Sequence, residues 1–555
     1  FDAWGVEETL RRAIGMFAFA LWDRATRTLT LGRDRLGEKP LYYGWQGGVF
    51  LFGSELKALR AHPAFTARVD RNALARLLRY SYVGAPHSIY EGIAKLMPGT
   101  LARARPGQRE VEITTYWSPY EAIRRARNAP FTGSPEEAVD ALERLLKDAI
   151  GRQMVADVPL GAFLSGGIDS STVVALMQAQ SATPVQTFSI GFGESMYDEA
   201  PHAKAVAAHL GTAHTEMYVS PRDALDVIPC LPAMYDEPFS DSSQVPTHLV
   251  SRIARGKVTV SLSGDAGDEL FCGYNRYALG DRLWRAMSGL PGGLRRGSAR
   301  TLTALAPQDW DRLHHRLRWL LPRRHRLVQP GDKIHKGAQL LGSRSSFELY
   351  QALVSHWEDP GAVVRGASTA ATALPAFDLG ALGLDEVEQM MAVDLCTYLP
   401  DDILCKVDRA AMAVSLETRV PFLDHRVVEF AWSLPLEYKL RGGITKWVLR
   451  EVLHRHVPRE LIDRSQMGFG VPIDQWLRGP LRDWAQALLD PARLRREGYF
   501  APEPIERKWA EHLSGRRNWQ YYLWDVLMFQ CWAEAQGLAV AQASPAPAAL
   551  AAVGG

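Results

Sequence analysis

The sequence predicts an α/β protein: a β-rich N-terminal module, then a domain built on a parallel sheet, with a helical C-terminal half. Three patterns support this prediction. Between residues 16 and 55, short apolar runs alternate with turn residues, and beyond residue 135 strand-like and helix-like runs alternate. Residues 280–380 are Arg-rich and mostly helix-like, and between residues 394 and 416 apolar residues recur at helical spacing. Strands that alternate with helices are typical of a parallel sheet with crossover helices.

The N-terminal module is predicted from its strand-like runs, which are residues 16–22, 28–32, 40–44 and 49–52. A helix over residues 71–79 and further short strands extend the module to Tyr116. Pro, Gly and Ser between residues 128 and 135 predict a linker, and an Ala-, Pro- and Gly-rich end predicts a disordered tail. We therefore divide the chain into a module (1–127), a linker (128–135), a second domain (136–540) and a tail (541–555).

The second domain begins with an amphipathic helix predicted over residues 135–154. Strands are predicted at residues 158–164, 185–192 and 257–262, with helices at residues 172–178, 203–210 and 224–234. Ligands of parallel sheets bind outside the carboxyl ends of the strands. Two polar, glycine-containing loops follow strands of this domain, and we expect the functional site there.

The first loop is S-G-G-I-D-S-S (residues 165–171), between a predicted strand and a predicted helix. A glycine-rich turn at a helix start presents backbone N–H groups to phosphate. The lysine of a Walker A loop is absent, so transfer of the γ-phosphate is not indicated. The serine hydroxyls and a Mg²⁺ held by Asp169 suit pyrophosphate instead. The loop thus predicts cleavage of ATP between its α and β phosphates, with AMP placed on a carboxylate.

The second loop is S-G-D-A-G-D-E (residues 263–269), which follows the strand predicted at residues 257–262. By itself such a segment is also typical of a solvated acidic turn. If the two strands are neighbours, however, Asp169 and Asp268 can share one Mg²⁺–pyrophosphate, and Asp265 faces the reacting carboxylate. The presence of the first loop upstream favours this second interpretation.

Composition excludes several other classes of protein. The formal charge is +2 over 555 residues, which gives no argument for a nucleic-acid partner. The five cysteines are scattered without a C-x-x-C pair, so neither a zinc site nor a disulfide framework is indicated, and a reducing cytoplasm fits best. The sequence contains no run of about 18 uncharged apolar residues, so no membrane span is predicted. The first residues are neither an initiator Met nor a signal peptide, so we expect the chain to begin inside a longer protein.

Further motifs accompany the two loops in a fixed order. They are G-M-F-A-F-A-L (15–21), G-R-D-R-L-G (32–37), P-L-Y-Y (40–43), G-S-E-L-K-A-L (53–59), D-V-P-L-G (157–161), T-F-S-I-G-F (187–192), Y-D-E-P-F (235–239) and R-V-P-F-L-D (419–424). Up to about residue 480 the chain resembles the asparagine synthetase B type family of glutamine-dependent enzymes. The resemblance implies a partial glutaminase domain of the Ntn type, followed by a synthetase domain of the ATP-pyrophosphatase fold.

The resemblance also implies roles for individual residues. Leu164 and Ile190 would line the adenine site, with strand core as the less favoured alternative for both. Asp169 and Asp268 would ligate Mg²⁺, and Asp265 would be the general base for ammonia attack, because the attacking nitrogen must lose a proton. The remaining residues expected at ATP or pyrophosphate are Ser165, Gly166, Gly167, Ser170, Ser171, Ser263 and Gly264.

The chain departs from the family pattern at three places. The family hydrolyses glutamine with an N-terminal cysteine, whereas residue 1 is Phe and the first cysteine is Cys230; we expect no glutaminase nucleophile here and ammonia as the nitrogen source.

Gln466, two residues after Arg464, replaces a lysine that neutralises departing pyrophosphate. Loss of such a cation costs about 10²–10³ in rate. Arg464, Lys446 and Lys406 are candidates to compensate. Cys272 stands where glycine is usual, and we expect a buried thiol.

The leading functional prediction is an ATP-dependent ligase that adenylates the β-carboxylate of aspartate, so that ammonia displaces AMP and gives asparagine, AMP and pyrophosphate. The alternatives are an enzyme for another carboxylate, such as a sugar acid or a natural product, and a degenerate nucleotide-binding scaffold. A tRNA-modifying enzyme of the same architecture is disfavoured by the near-neutral charge. The predicted partners are small-molecule substrates, with no nucleic acid and no membrane, and a homodimer is a compatible assembly.

Overall fold

The computed structural model describes residues 1–192, 199–305, 307–317, 330–375, 378–463 and 470–538. The N-terminal module is β-rich, as predicted, and its strands pair in antiparallel fashion. Its elements are α1 (Gly5–Arg12), β1 (Ala18–Asp23), β2 (Thr28–Arg33), β3 (Tyr42–Gln46), β4 (Val49–Gly53), α2 (Leu56–Arg60), α3 (Arg71–Tyr80), β5 (Ile93–Lys95), β6 (Thr100–Ala104), β7 (Glu112–Thr115) and α4 (Pro119–Asn128). They form one sheet in the order β1-β2-β6-β7 and another in the order β4-β3-β5.

The second domain begins at α5 (Pro135–Gln153), whose start is specified locally. Ser134 and Glu137 form a capping box that satisfies backbone N–H groups of the first turn, and Pro135 takes a position where its missing N–H costs nothing. The elements that follow are β8 (Leu160–Phe163), α6 (Ile168–Gln178), β9 (Gln186–Phe192), α7 (Ala200–Leu210), β10 (Ala213–Val219), α8 (Pro221–Leu225), α9 (Leu231–Tyr235), α10 (Gln244–Arg255), β11 (Val260–Leu262) and α11 (Gly267–Phe271).

The sheet of this domain is parallel, with the order β10-β9-β8-β11-β12, in which β12 is Glu417–Arg419. The predicted parallel sheet is therefore confirmed. One predicted helix is wrong in detail: instead of a continuous helix over residues 224–234, α8 ends at Leu225, a short 3₁₀ turn covers Ile228–Cys230, and α9 begins at Leu231. Pro229 and Pro232 lack the N–H that a continuous helix needs there.

The C-terminal half is helical, as predicted. Its remaining elements are α12 (Asn275–Ser288), α13 (Gly292–Ala304), α14 (Pro307–Leu317), α15 (Pro330–Gly342), α16 (Ser346–Val354), α17 (Glu386–Cys396), α18 (Leu404–Met412), α19 (His425–Ser433), β13 (Leu440–Arg441), β14 (Ile444–Thr445), α20 (Trp447–His454), α21 (Arg459–Ile462), α22 (Ile473–Arg478), α23 (Arg482–Leu488), α24 (Pro491–Glu497), α25 (Pro502–Leu513) and α26 (Gln520–Ala535). A π-helical turn, Leu399–Ile403, leads into α18. None of the helices in the described residues is both long and apolar enough to cross a membrane. The predicted tail lies outside the described residues.

Buried polar contacts join the N-terminal module to the second domain. The Leu56 N–H donates to Asp236 Oδ2 (2.9 Å), Lys39 pairs with Asp408 (2.8 Å), and the buried Lys95 pairs with Glu237. Burying a charge without its partner is unfavourable, so these pairs hold the two parts in one arrangement. That arrangement brings the chain around residues 80–82 of the module to the polar chamber described below.

Candidate functional site

The two predicted loops lie side by side because their strands pair directly. In the parallel register of β8 and β11, Val260 faces Leu160 and Leu262 faces Ala162, so both strands end at the same edge of the sheet. The loops come so close that a Cβ atom on Gly264 would lie 2.6 Å from the backbone nitrogen of Ser170. Glycine at position 264 is therefore needed for this approach.

The first loop exposes the start of α6. Gly167 is the N-cap of α6. Because glycine has no side chain, it cannot accept a hydrogen bond from the first N–H groups of the helix. Gly166 has φ +73°, and a Cβ there would lie 2.8 Å from the backbone nitrogen of Ala203. The hydroxyls of Ser165 and Ser170 are 3.0 Å apart at the mouth of the turn. Free helix N–H groups beside two hydroxyls form an anion-binding arrangement.

Asp169 and Asp268 meet around a buried lysine. Lys446 Nζ lies 2.7 Å from Asp268 Oδ1 and also forms an ion pair with Asp169 Oδ2. The Lys446 side chain is only 1% exposed, and its backbone has φ +55° between β14 and α20. Burial raises the pKa of Asp169 to about 6, although Lys446 opposes this change. Burial alone would lower the pKa of Lys446, but the two carboxylates outweigh it and raise that pKa.

Glycines allow this close packing of charges. A Cβ on Gly267 would lie 2.4 Å from Asp169 Oδ1. A Cβ on Gly273 would lie 1.9 Å from Asp268 Oδ1 and 2.1 Å from Lys446 Cε. Any side chain at either position would displace the acidic pair.

The acidic pair also has the chemistry of a magnesium site. Mg²⁺ is usually held by one or two carboxylates, with phosphate and water oxygens completing the octahedron. Asp169 Oδ1 is buried and has no hydrogen-bond partner among the described residues, so this oxygen is available to ligate a cation. No cluster of three or more His, Cys, Asp or Glu side chains suited to a metal occurs in the described part of the chain. Asp169 and Asp268 therefore fit a metal that is shared with phosphate oxygens.

A cleft of about 660 Å³ opens beside the two loops. Leu164 and Ile190 line it while being almost fully buried, so their predicted adenine contact and their strand-core packing are both compatible with the structure. Asp265 also lines the cleft; Ser263 Oγ donates to its Oδ2, and burial raises its pKa. Ser165, Gly167, Ser170, Ser263 and Gly264 line the same cleft.

Three further ionisable residues line the cleft: Glu269, Asp241 and Lys406. Burial raises the pKa of Glu269 to about 8, and Tyr274 Oη lies 2.7 Å from its Oε1. Lys406, a candidate from the sequence to compensate for Gln466, pairs with Asp241 at 2.7 Å. Glu269 and Asp241 were given no role from the sequence; the first lies inside S-G-D-A-G-D-E, and the second in the segment before α10.

The predicted Arg464 and Gln466 lie outside the described residues. Gly470, the first described residue after them, lines the cleft. Of the two candidate cations that the structure describes, Lys446 pairs with Asp169 and Asp268, and Lys406 pairs with Asp241. Cys272 is buried with φ +61°, and burial raises the pKa of its thiol to about 12, so it is the buried thiol that the sequence predicted.

Fold and site together define a two-part protein: an antiparallel module joined to a parallel α/β domain that carries paired phosphate-type loops. Residues 1–117 match the glutamine amidotransferase domain family, and residues 141–534 match the asparagine synthase family. The chain belongs to the asparagine synthase family, whose members are ATP-using, amide-forming ligases. This confirms the family resemblance seen in the sequence.

Relatives from distant organisms are similar along nearly the whole chain. A putative glutamine-hydrolysing asparagine synthetase of Mycobacterium tuberculosis (strain ATCC 25618 / H37Rv) is 35% identical, covering 96% of this chain and 78% of the relative. Asparagine synthetase [glutamine-hydrolyzing] 1 of Bacillus subtilis (strain 168) is 29% identical, covering 95% and 78%. The asparagine synthetase of Homo sapiens is 23% identical, covering 94% and 77%.

Proposed function

We propose that this protein joins ammonia to a carboxylic acid by way of an acyl-adenylate, with aspartate as the simplest acceptor and asparagine as its product. One observation carries the proposal: Asp169 and Asp268, from loops of two neighbouring strands, converge on Lys446 beside a cleft. Membership of the asparagine synthase family and the printed names of the relatives support it.

In the first step, the loops position ATP for attack at its α-phosphorus. The N–H groups at the start of α6 and the hydroxyls of Ser165 and Ser170 bind phosphate oxygens. A Mg²⁺ ion held by Asp169 and Asp268 would neutralise part of the pyrophosphate charge. Lys446 places a second positive charge at the same point, where negative charge grows as the bond to the β-phosphate breaks.

In the second step, ammonia attacks the acyl carbon and AMP leaves. The nitrogen must lose a proton as the C–N bond forms, and Asp265 is placed in the cleft to accept it. Ser263 orients the Asp265 carboxyl by donating to Oδ2. Burial raises the pKa of Asp265, which makes this carboxylate a stronger base than a solvated one.

Ammonia is the proposed nucleophile of the second step, and residues 1–117 match the glutamine amidotransferase domain family. Ammonium ions are supplied directly in the assays below, so that these assays report on the synthetase chemistry alone.

The test is formation of AMP and pyrophosphate from ATP, Mg²⁺, aspartate and ammonium, with Asp169→Asn and Asp268→Asn as variants. Each variant removes one charge at the phosphates, and we expect AMP formation to fall by about 10²-fold or more. Asp226→Asn, at an exposed position, is the matched control and should keep full activity. Unchanged AMP formation in both site variants would refute the assignment of the acidic pair.

A further inference from the structure

A second chamber opens off the nucleotide cleft and has no part in the chemistry above. Its volume is about 310 Å³, within the range of about 300–1,000 Å³ usual for small-molecule sites. Asp241, Ser242, Tyr398 and Tyr521 line both the cleft and the chamber, so the two spaces are continuous. A substrate bound in the cleft therefore has room to extend into the chamber.

The described charges that line the chamber are already paired. Arg276 Nη2 lies 2.6 Å from Asp394 Oδ2, and two tyrosine hydroxyls also bond to Asp394. His356 Nδ1 lies 2.9 Å from Asp525 Oδ2. At the mouth, Asp241 pairs with Lys406. Each of these charges is thus matched by an opposite charge.

Asp402 is the remaining ionisable group of the lining. Burial and the neighbouring Asp241 raise the pKa of Asp402 well above its usual value. Among the described residues, the chamber offers no unmatched positive charge to a substrate, because its cationic side chains are all paired. Aspartate would bring an α-carboxylate for which no free cation is available there, and a charge buried without a partner is strongly unfavourable.

Aromatic rings and hydroxyl groups make up much of the remaining surface. Arg276 covers the rings of Tyr274 (3.8 Å) and Tyr398 (4.8 Å), and His356 stacks on Tyr521 with ring centroids 5.6 Å apart. The other tyrosines of the lining are Tyr80, Tyr82 and Tyr350. Tyrosine provides a flat apolar face and a hydrogen-bonding tip, which suits a ring that bears hydroxyl groups.

We propose that the acceptor is larger than aspartate: a carboxylic acid whose carboxyl reaches Asp265 in the cleft and whose uncharged, hydroxyl-bearing body fills the chamber, as in a hexuronic acid. This inference rests on the proposed adenylation and amide-forming steps, and it replaces aspartate with this class of acid as their preferred acceptor. An oxygen of the acceptor carboxylate attacks the α-phosphorus of ATP, and the bond to the β-phosphate breaks to release pyrophosphate. Ammonia then forms the C–N bond, AMP leaves with the electrons of the C–O bond, and one proton passes to Asp265.

The experiment compares D-glucuronate, D-galacturonate and L-aspartate as acceptors for the purified chain, with ATP, Mg²⁺ and ammonium, measuring AMP by chromatography. We expect kcat/KM for one of the hexuronates to exceed that for aspartate by about tenfold or more, because each unmatched substrate charge weakens binding. The Gln466→Lys variant is assayed in parallel, so that a weak adenylation step does not hide acceptor preference. If aspartate is the only acid that supports AMP formation, the inference is overturned and the proposed function stands. If none of the three acids supports AMP formation by either protein, both are overturned.

A chamber-filling variant tests the location. Val354, at the end of α16, lines the chamber, and Val354→Phe narrows it without touching the acidic pair. Val155→Phe adds the same volume at a position that is 77% exposed. We expect Val354→Phe to lower kcat/KM for the hexuronate about tenfold with KM for ATP unchanged, while Val155→Phe leaves it unchanged.

The binding step is measured separately by calorimetry, with the hexuronate titrated into protein that holds Mg²⁺ and a non-hydrolysable α,β-methylene ATP. Thermal unfolding of both variants establishes that they are folded. Loss of hexuronate binding in Val354→Phe alone supports the chamber. Equal loss in both variants, or a loss that also affects ATP binding, would overturn it.

Discussion

Lys446 Nζ lies 2.7 Å from Asp268 Oδ1 and forms a second ion pair with Asp169, so one buried cation ties together the loops that follow β8 and β11. The lysine lies between the two carboxylates and holds them close together before any nucleotide binds. When phosphates arrive, the same cation is already in place. The pairing therefore serves both the stability of the site and its chemistry.

Replacing Lys446 by methionine should be strongly destabilising. Lys446→Met leaves two carboxylates without their partner, and removal of one member of a buried ion pair typically costs about 3–5 kcal/mol. Urea unfolding of the nucleotide-free protein measures this loss. Lys333→Met, on the exposed side of α15, is the control and should change the unfolding free energy little. Equal effects of the two substitutions would contradict the role given to Lys446.

A methyl group at position 273 should disrupt the acidic pair. The added Cβ would overlap Asp268 Oδ1 and Lys446 Cε, so Gly273→Ala should lower AMP formation by about 10²-fold. Gly289→Ala is the matched control, since a Cβ there meets no atom within 4 Å. That control should be neutral or stabilise the protein by about 0.4–1 kcal/mol, because alanine restricts the unfolded chain. Full activity of Gly273→Ala would show that the acidic pair is not needed.

Restoring a lysine at position 466 should accelerate adenylation. Gln466→Lys supplies a cation for departing pyrophosphate, and we expect kcat for AMP formation to rise by about 10²–10³-fold. The measurement is made at saturating ATP and acceptor. Gln108→Lys adds the same charge at an exposed turn of the N-terminal module and should leave kcat unchanged. No gain at position 466 would mean that Lys446 or Lys406 already supplies the charge.

His512 should make the protein less stable in acid. It is buried, its Nδ1 accepts from the Trp519 N–H (3.1 Å), and burial together with Arg478 lowers its pKa to about 4. In the unfolded chain the pKa of histidine is about 6.5, so the unfolded state binds a proton that the folded state does not. The contribution of neutral His512 to stability is complete above pH 6.5 and is lost as the pH falls towards 4.

Unfolding free energies measured between pH 4 and 7 test this. His512→Asn keeps an acceptor for the Trp519 N–H but cannot take up a proton, so the stability of this variant should decline less in acid. His62→Asn is the matched control, because the exposed His62 Nδ1 also accepts a backbone N–H at 3.1 Å. A pH dependence that is the same for all three proteins would refute the prediction.

Cys272 should be inert to thiol reagents in the folded protein. Burial raises its pKa to about 12, and the thiolate is the reactive form. The exposed Cys230 should react first. Thiol titration of Cys230→Ser and Cys272→Ser, with and without urea, distinguishes the two sites. If fast labelling of the folded protein disappears only in Cys272→Ser, the Cys272 thiol is not buried and the prediction is wrong.

Local patterns were enough to predict much of the fold. Alternating apolar residues predicted β2 and β4, and an amphipathic pattern predicted α5, since both signals are local in the sequence. β10 was not predicted: it is an edge strand whose mostly half-exposed residues do not form an apolar run. The helix predicted at residues 224–234 failed because two prolines outweighed the apolar pattern.

The site was predictable to the extent that its residues lie in the two loops. Asp169, Asp265 and Asp268 each stand in a short motif with a clear chemical purpose. Lys446 does not: it follows β14, far along the chain from either loop, and only tertiary packing brings its ammonium between the carboxylates. The same holds for Arg276 and His356, whose partners are 118 and 169 residues away.

The direct pairing of β8 with β11 also bears on how such a protein can change over generations. β8 ends at Phe163 and β11 begins at Val260, yet the two strands are neighbours in the sheet. The chain between them forms β9 and β10 on the other side of β8 in the same sheet, so a surface turn within it, such as residues 181–184, can lengthen without moving either loop. Homologous proteins can therefore differ in this surface turn while keeping the same site.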